Sequence, residues 1–551
     1  EISECDWSSD VCSSDLAIAV LAVLSSGQMN AQSTSPSTKW HWNEGQIVLD
    51  TPARPAGQQS ALGLTVPKIQ NVRVAFVGLG MRGPGAVERW TYIPGVEIVA
   101  LCDYEQKRAE RCQEYLKKAN LPPASIYFGA EGYKELCKRP DIDLVYIATD
   151  WDHHFPVAKF AMENGKNTAI EVPSAMNVEQ CWDLINLVEK TRKHCMILEN
   201  CCYDWFEMNT LNMAQHGVFG ELLHGQGAYI HNLDDFWNAY WKNPEKSPEL
   251  GWRMQYNMEN RGDVYATHGL GPVAQAFDIH RGDRMKTLVA MDTKPVHGPN
   301  YVEAKTGVRP TNFRNGDHTT TLIRTEEGKV IEVQHQVMNP RPYDRLYQLS
   351  GTKGFANKYP VEGYALDAKS LKEAGVAPKV DNLSSHSFMS DAERKTLEEK
   401  YQSPILKKYG KMAKEVGGHG GMDFIMDSRL VYCLQNGLPL DMDVYDLAEW
   451  CALAELGTLS LDHNSASVAF PDFTRGHWND VKGYKHAFAP AAQEDAAAQL
   501  ATAITNAQKA IAAKAWADYE KATTVEAKNA VSTKAVANVQ KAVAKLLKKT
   551  K

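Results

Sequence analysis

Val72-Arg-Val-Ala-Phe-Val-Gly-Leu-Gly-Met-Arg-Gly83 is the stretch that decides the fold. Val72 to Gly78 is a short apolar run of the kind that forms a buried parallel strand. Gly78-Leu79-Gly80-Met81-Arg82-Gly83 follows at once, and a helical stretch follows that. A GxGxxG turn between a strand and a helix is the fingerprint of a dinucleotide-binding unit. In that setting Gly78 allows the tight turn, Gly80 lets the backbone approach a pyrophosphate, and Gly83 permits close helix–strand packing. The helix N-terminus then offers N–H groups to phosphate. Asp103 lies twenty residues past Gly83, at the end of the next apolar run. An acid there accepts a ribose 2′-hydroxyl and repels the extra phosphate of NADP, so the expected cofactor is NAD.

Beyond this stretch, apolar runs recur at Val96–Leu101, Asp143–Thr149, Asn167–Val172 and Cys195–Asn200, separated by helical patterns such as Phe155–Asn164 and Val178–Lys193. Strands alternating with helices predict βαβ units and a parallel sheet over residues 71–201. After Gly220 the pattern changes. His224–Ile230, Leu288–Met291, Thr319–Arg324, Val330–Val337 and Leu346–Ser350 read as strands without regular helices between them, which predicts an antiparallel or mixed sheet. Helical periodicity returns at Asp423–Gln435 and Val444–Leu461. The expected fold class is therefore α/β: an N-terminal Rossmann domain, then a substrate-binding α+β domain with an open mixed sheet over residues 202–480.

The flanks carry less chemistry. Glu1 to Ser14 matches no structural pattern and is set aside as artefactual. Leu16–Leu24 is a short apolar run followed by Met29-Asn30-Ala31, read as a signal-peptide remnant in residues 1–35, with a periplasmic or secreted location. The run is too short to span a membrane. Residues 36–70 are rich in Ser, Pro, Gln and Gly and read as a linker or extended arm. Residues 487–551 are Ala- and Lys-rich; Leu500, Ile504 and Ile511, then Val536, Val539, Val543 and Leu546, predict two amphipathic helices.

A formal charge of −7 gives no basic footprint for nucleic acid. The 11 cysteines include no CxxC pair and no Cys/His ligand spacing, so no metal site is expected and most thiols should be buried and free.

Three strand ends should face the cofactor, because ligands of open α/β sheets bind beyond the carboxyl ends of the strands. These are Thr149-Asp150-Trp151-Asp152-His153-His154, Glu171-Val172-Pro173 and Asn200. On the substrate side, residues 229–268 interleave aromatics (Tyr229, Phe236, Trp237, Tyr240, Trp241, Trp252, Tyr256, Tyr265) with polar groups, among them His231, Arg253 and His268. Flat rings beside hydrogen-bonding groups suit a sugar, with its apolar C–H faces and hydroxyl edges. Tyr265-Ala266-Thr267-His268, flanked by glycines, is the segment where proton chemistry is expected. Asp234-Asp235 is the nearest thing to a carboxylate pair, but neighbours on a strand point to opposite faces.

The glycine turn, Asp103 and Glu171-Val-Pro173, followed by a mixed-sheet domain, resemble the Gfo/Idh/MocA oxidoreductases. That superfamily usually carries Glu-Lys-Pro, and Val172 stands where the Lys would be. A closer resemblance is to glycoside hydrolase family 109, the NAD-dependent α-N-acetylgalactosaminidases. It is carried by Val77–Gly83, Trp151-Asp-His-His154, Glu171-Val-Pro173, Gly225-Gln-Gly-Ala-Tyr-Ile-His-Asn232 and Asn260-Arg-Gly-Asp-Val-Tyr-Ala-Thr-His-Gly269, and extended by Arg341–Arg345, Gly418–Asp423 and Pro471–Phe473. The resemblance implies cofactor contacts at Met81, Arg82, Asp103, Trp151, His153, His154, Glu171, Val172, Asn200 and Tyr265. It implies substrate contacts at Tyr229, Arg253, Tyr265, Ala266, Thr267, His268 and Tyr343, the last with Tyr347 as a neighbouring alternative, and hydroxyl partners at His231 and His419.

The function this implies is removal of terminal α-linked N-acetylgalactosamine from a glycan by oxidation at C3, elimination, addition of water and reduction. No net redox change results, so NAD stays tightly bound and is recycled. His268 and Tyr265 are expected to move protons at C3 and C2, Tyr229 or His231 to assist the leaving group, and Glu171 to position nicotinamide or substrate. The alternative is an ordinary NAD-dependent sugar oxidoreductase. A homo-oligomer is compatible with either.

Overall fold

The computed structural model describes residues 39–234, 251–376 and 385–549. The apolar run at Leu16–Leu24 lies outside them, as do Asp235, Phe236, Trp237, Tyr240 and Trp241.

The first sheet has six parallel strands in the order Ser125–Phe128, Val96–Asp103, Val72–Val77, Leu144–Ile147, Asn167–Ile170, Cys195–Ile197. By chain order within the domain this is 3-2-1-4-5-6, the doubly wound arrangement. Its order reverses beside Val72–Val77, so the glycine turn at the end of that strand opens onto the switch-point crevice. Ser125–Phe128 was not expected from the sequence. It is four residues long at the sheet's edge and its approach holds two prolines, so it gives no sustained apolar run.

The second sheet has ten strands. At its centre Leu222–Ile230 pairs in parallel with Val330–Gln336 and antiparallel with Gln348–Gly351. Thr319–Thr325 and Met285–Asp292 continue it antiparallel on one side, and Gly354–Asn357 and Gly363–Leu366 on the other. The mixed sheet expected after Gly220 is thus present. The segment 36–70, expected as a linker or arm, differs: Trp40–Asn43 and Gln46–Leu49 form a hairpin at the sheet's edge. Its two-residue turn, Glu44-Gly45, has φ of 48° and 80°, the left-handed pair that a tight hairpin requires.

The Val444–Asp462 helix packs on both the Val178–Thr191 helix and the Met285–Asp292 strand, and so joins the two sheets. An Asp443 capping box fixes its start. A second link is made by glycines. The Thr267–Ala276 helix lies on the Leu222–Ile230 strand at Gly227 and Gly269. A Cβ on Gly227 would sit 2.0 Å from the Gly269 carbonyl oxygen, and one on Gly269 would sit 2.3 Å from Ala228 N. This close approach brings Tyr229 and His268 together.

The two C-terminal helices, Ala491–Lys521 and Val525–Lys549, pack through Leu500, Ile504, Val539 and Val543. The pair covers the open edge of the Rossmann sheet. Asn529 donates its side-chain amide to Ile126 O at 2.8 Å and accepts from Ile126 N at 2.7 Å. One side chain thereby satisfies both backbone groups of an edge-strand residue that would otherwise present a pairing surface. Nine cysteines fall among the described residues, all free and buried. No described helix is long and apolar enough to cross a membrane.

Candidate active site

The glycine turn has the geometry a pyrophosphate needs. Gly78 has φ +91°, and a Cβ there would meet the Ala148 backbone at 2.5 Å. A Cβ on Gly83 would meet Gly78 O at 2.0 Å, whereas at Gly80 the nearest atom would be the Arg108 guanidinium at 3.5 Å. Two glycines are therefore required by packing, and the middle one leaves room for a ligand. The following helix, Gly83–Trp90, carries no side-chain cap, so its first N–H groups keep their hydrogen-bonding capacity for an anion. Asp103 ends the adjacent strand. Its Oδ2 accepts from Leu79 N at 2.6 Å and its Oδ1 from Glu105 N at 2.9 Å. The carboxylate thus pins the turn as well as charging its rim. These residues fit NAD: Gly78, Gly80 and Gly83 would cradle the phosphates, and Asp103 would face the ribose. Met81, at the tip of the turn, is 58% exposed.

Arg82 does something the sequence did not suggest. Its guanidinium lies 3.4 Å from Glu171 Oε1 and 3.5 Å from Asp423 Oδ2, with the His419 ring at 3.0 Å. Burial opposes its charge, but Glu171 and Asp423 outweigh that and raise its pKa. Asp423 also accepts from the Asn200 amide at 2.6 Å and lies 2.9 Å from His419 Nδ1. Burial pushes the Asp423 carboxyl up, yet His419, Arg82 and Arg89 together hold it well below the usual carboxylate range. The strand-end residues Glu171 and Asn200 are therefore locked to the loop at Gly418–Asp423. The motif containing Asp423 was visible in the sequence, but its role as the hub was not.

The Trp151–His154 segment divides. Trp151 is buried and stacks on Tyr265, with ring centres 5.3 Å apart and planes at 14°. His153 is exposed and paired with Asp150, the residue that caps this helix. His154 is buried, its Nδ1 2.7 Å from Pro173 O and its Nε2 3.2 Å from Thr149 O. Its ring bridges two strand-end loops, which gives it a structural task beside the cofactor contact expected of it. Val172 is buried too, preceding a cis proline.

On the substrate side Tyr229, Tyr265 and His268 form a cluster. Ring centres are 4.7 Å apart for Tyr229–Tyr265, 5.0 Å for Tyr265–His268 and 5.4 Å for Tyr229–His268. The Arg253 guanidinium lies over Tyr265 at 4.7 Å and over Trp151 at 5.0 Å. Burial drives the Tyr265 phenol well above its ordinary pKa, against the pull of Arg253. Tyr265 therefore rests protonated and can donate a hydrogen bond. His231 packs edge-on to the exposed Tyr343 at 5.1 Å. Tyr347, by contrast, is buried against Phe206 in the core. Ala266 and Thr267 are buried at the start of the His268 helix.

Glu199 carries no signal in the sequence that marks it as functional. It is fully buried, and its Oε1 lies 2.6 Å from His268 Nδ1. Cys201 completes a group of ligand-type side chains with this pair. However, Glu199 and His268 bond to each other, and Cys201 Sγ accepts from the Arg345 guanidinium at 2.8 Å, whose positive charge opposes a cation. Asp234 is also engaged, 3.0 Å from His297 Nε2.

A family model described as "Glycosyl hydrolase 109, C-terminal domain" matches residues 203–480. One described as "Oxidoreductase family, NAD-binding Rossmann fold" matches residues 72–199. Over 501 residues the chain is 70% identical to Glycosyl hydrolase family 109 protein 4 of Phocaeicola vulgatus, covering 91% of this chain and 97% of that protein. Over 491 residues it is 72% identical to Glycosyl hydrolase family 109 protein 5 of the same organism, covering 89% and 94%. Among solved structures, the oxidoreductase domain protein from Kribbella flavida matches with a TM-score of 0.54 at 15% identity, covering 73% of this chain and 100% of that chain, a likeness of fold alone. With an NAD-binding Rossmann domain joined to a family-specific second domain, the chain belongs to glycosyl hydrolase family 109, glycoside hydrolases of the Gfo/Idh/MocA type.

Proposed function

We propose that this enzyme removes terminal α-linked N-acetylgalactosamine from glycans, with no net redox change and with its cofactor held tightly and recycled. The observation that carries the reading is the cluster of Tyr229, Tyr265 and His268 stacked through Tyr265 on Trp151, a residue of the cofactor-side strand ends. Most glycosidases use two carboxylates flanking the bond, although NAD-dependent exceptions exist. Here the nearby carboxylates have other partners: Glu199 holds His268, and Glu171 meets Arg82. What remains suits proton movement next to a redox cofactor. Bound NAD would supply reversible oxidation and reduction at C3 of the sugar.

In this reading His268 takes a proton from the sugar and later returns it, acting at C2 or C3 with Tyr265 as its partner. Tyr265, resting protonated, is the donor of the pair. Tyr229 or His231 delivers a proton to the departing oxygen at C1. Glu171, steadied by Arg82, positions the reacting groups where the superfamily's usual Lys is replaced by the buried Val172. The aromatic faces of Tyr229 and Tyr343 and the Arg253 guanidinium hold the sugar. A periplasmic or secreted location accords with the apolar run at Leu16–Leu24.

The test is incubation of the protein with a chromogenic α-N-acetylgalactosaminide while following aglycone and NADH together. Aglycone release without NADH accumulation is the expected result. NADH formed in proportion to substrate, without aglycone release, would instead identify a sugar oxidoreductase.

A further inference from the structure

We propose that Glu199 is a positioning residue that fixes the tautomer of His268, keeping the proton on Nδ1 and leaving Nε2 as the proton acceptor. The inference rests on the reading above for what Nε2 does, though not for the tautomer itself.

Glu199 sits where the Cys195–Ile197 strand gives way to the turn Asn200–Tyr203. Its Oε1 accepts from Cys201 N at 3.1 Å, which fixes the carboxylate to its own turn. Its second partner comes from a different domain: His268, on the Thr267–Ala276 helix, at 2.6 Å. That helix can lie so close because residue 271 is glycine. A Cβ there would stand 3.1 Å from Glu199 Cγ and 3.0 Å from the Trp450 ring.

A fully buried carboxylate is costly unless it is ionised and paired, or neutral. Burial pushes Glu199 toward the neutral form, but His268, Thr267 and the Cys201 N–H outweigh it and keep its pKa low. An ionised carboxylate can only accept, so the facing nitrogen must carry the hydrogen. With Nδ1–H donated to Glu199, Nε2 holds the free lone pair. When Nε2 takes a proton from the sugar, a new N–H bond forms and the breaking bond leaves its electron pair on the substrate. The resulting imidazolium is paired with Glu199, and reversal returns the proton to the sugar. In the other tautomer the proton would sit on Nε2 and that nitrogen could not accept.

Histidine-selective ¹⁵N NMR of the full chain with NAD added reads the tautomer directly, with the His268 signals assigned by their absence in His268→Gln. The neutral ring is expected to carry its proton on Nδ1, with Nε2 bare. Nε2–H as the main form would overturn it, whether or not the protein cleaves glycosides. A double-mutant cycle separates positioning from bulk stability. Glu199→Gln should lower kcat by on the order of 10²-fold or more, as loss of an imidazole-orienting carboxylate does elsewhere, with KM changed less than about threefold. In the His268→Gln background the same change should have almost no further effect. An equal loss in both backgrounds, or an unaltered kcat in Glu199→Gln, would overturn the proposal. Absence of aglycone release from the wild type would refute the proposed function and leave the NMR result to decide Glu199.

Discussion

The indole of Trp151 and the phenol ring of Tyr265 stack at 5.3 Å, joining the segment after the Leu144–Ile147 strand to the turn that leads into the Thr267–Ala276 helix. Arg253 covers both rings, so this contact sets where the Tyr265 hydroxyl lies. Tyr265→Phe keeps the stack and removes only the hydroxyl. Thermal denaturation should be nearly unchanged, while aglycone release falls by about 10²–10⁴-fold, the range for loss of a positioned acid or base. Full activity in Tyr265→Phe would remove the phenol from the chemistry.

Asp103 both pins Leu79 N and places a negative charge at the rim of the glycine turn. Asp103→Ser lifts the repulsion toward a 2′-phosphate and weakens the hold on a ribose hydroxyl. Calorimetric titration of the apoprotein should show the NADP-to-NAD affinity ratio rising by about tenfold or more, corresponding to about 1.4 kcal/mol. An unchanged ratio would mean that cofactor choice is made elsewhere.

Asp204 gives a signed pH dependence. Lys358 Nζ lies 2.8 Å from its carboxylate, and Arg345 also bonds to it. Burial would raise its pKa, but these two cations outweigh burial and hold it at about 2, against an ordinary 3.8. A depressed carboxylate contributes stability above its unfolded pKa and loses it as pH falls through the folded one. Roughly 2 kcal/mol should therefore disappear between about pH 4 and pH 2. In urea titrations Asp204→Asn should be less stable than wild type at pH 7, and the gap should close across that window. A gap that stayed constant down to pH 2 would contradict the assignment.

Asn529 holds both backbone groups of Ile126. Asn529→Ala leaves them without those partners, at a cost of about 1–3 kcal/mol. Truncation after Ala489 uncovers the whole Ser125–Phe128 edge and should produce self-association measurable by light scattering. A monodisperse truncated protein as stable as the full chain would show that the helical pair does not protect the edge.

Much of this architecture was legible because its signals are local. The Val72–Val77 strand, the glycine turn and Asp103 announce the Rossmann domain within about thirty residues of sequence. Tyr265 and His268 stood out by their glycine-flanked setting. The parts that were missed depend on partners far along the chain. Glu199 is one carboxylate after an apolar strand, and only the fold brings it to His268, 69 positions away. Asp423 gains its role from Asn200 and Arg82, on separate segments. Ser125–Phe128 and the Trp40–Leu49 hairpin are four-residue strands, too short for periodicity to register. The arrangement of His154, with both ring nitrogens facing carbonyls, has no signature in sequence at all.

In the proposed reaction, cleavage proceeds through loss and return of the C2 proton under cover of a reversible oxidation at C3. Hydrolysis of an α-N-acetylgalactosaminide by the NAD-loaded enzyme in D₂O, with the released sugar analysed by NMR, tests this most directly. Deuterium at C2 of the product, with no accumulated NADH, is the expected result. Product released with its original C2 proton fully retained would contradict it and point to direct displacement at C1.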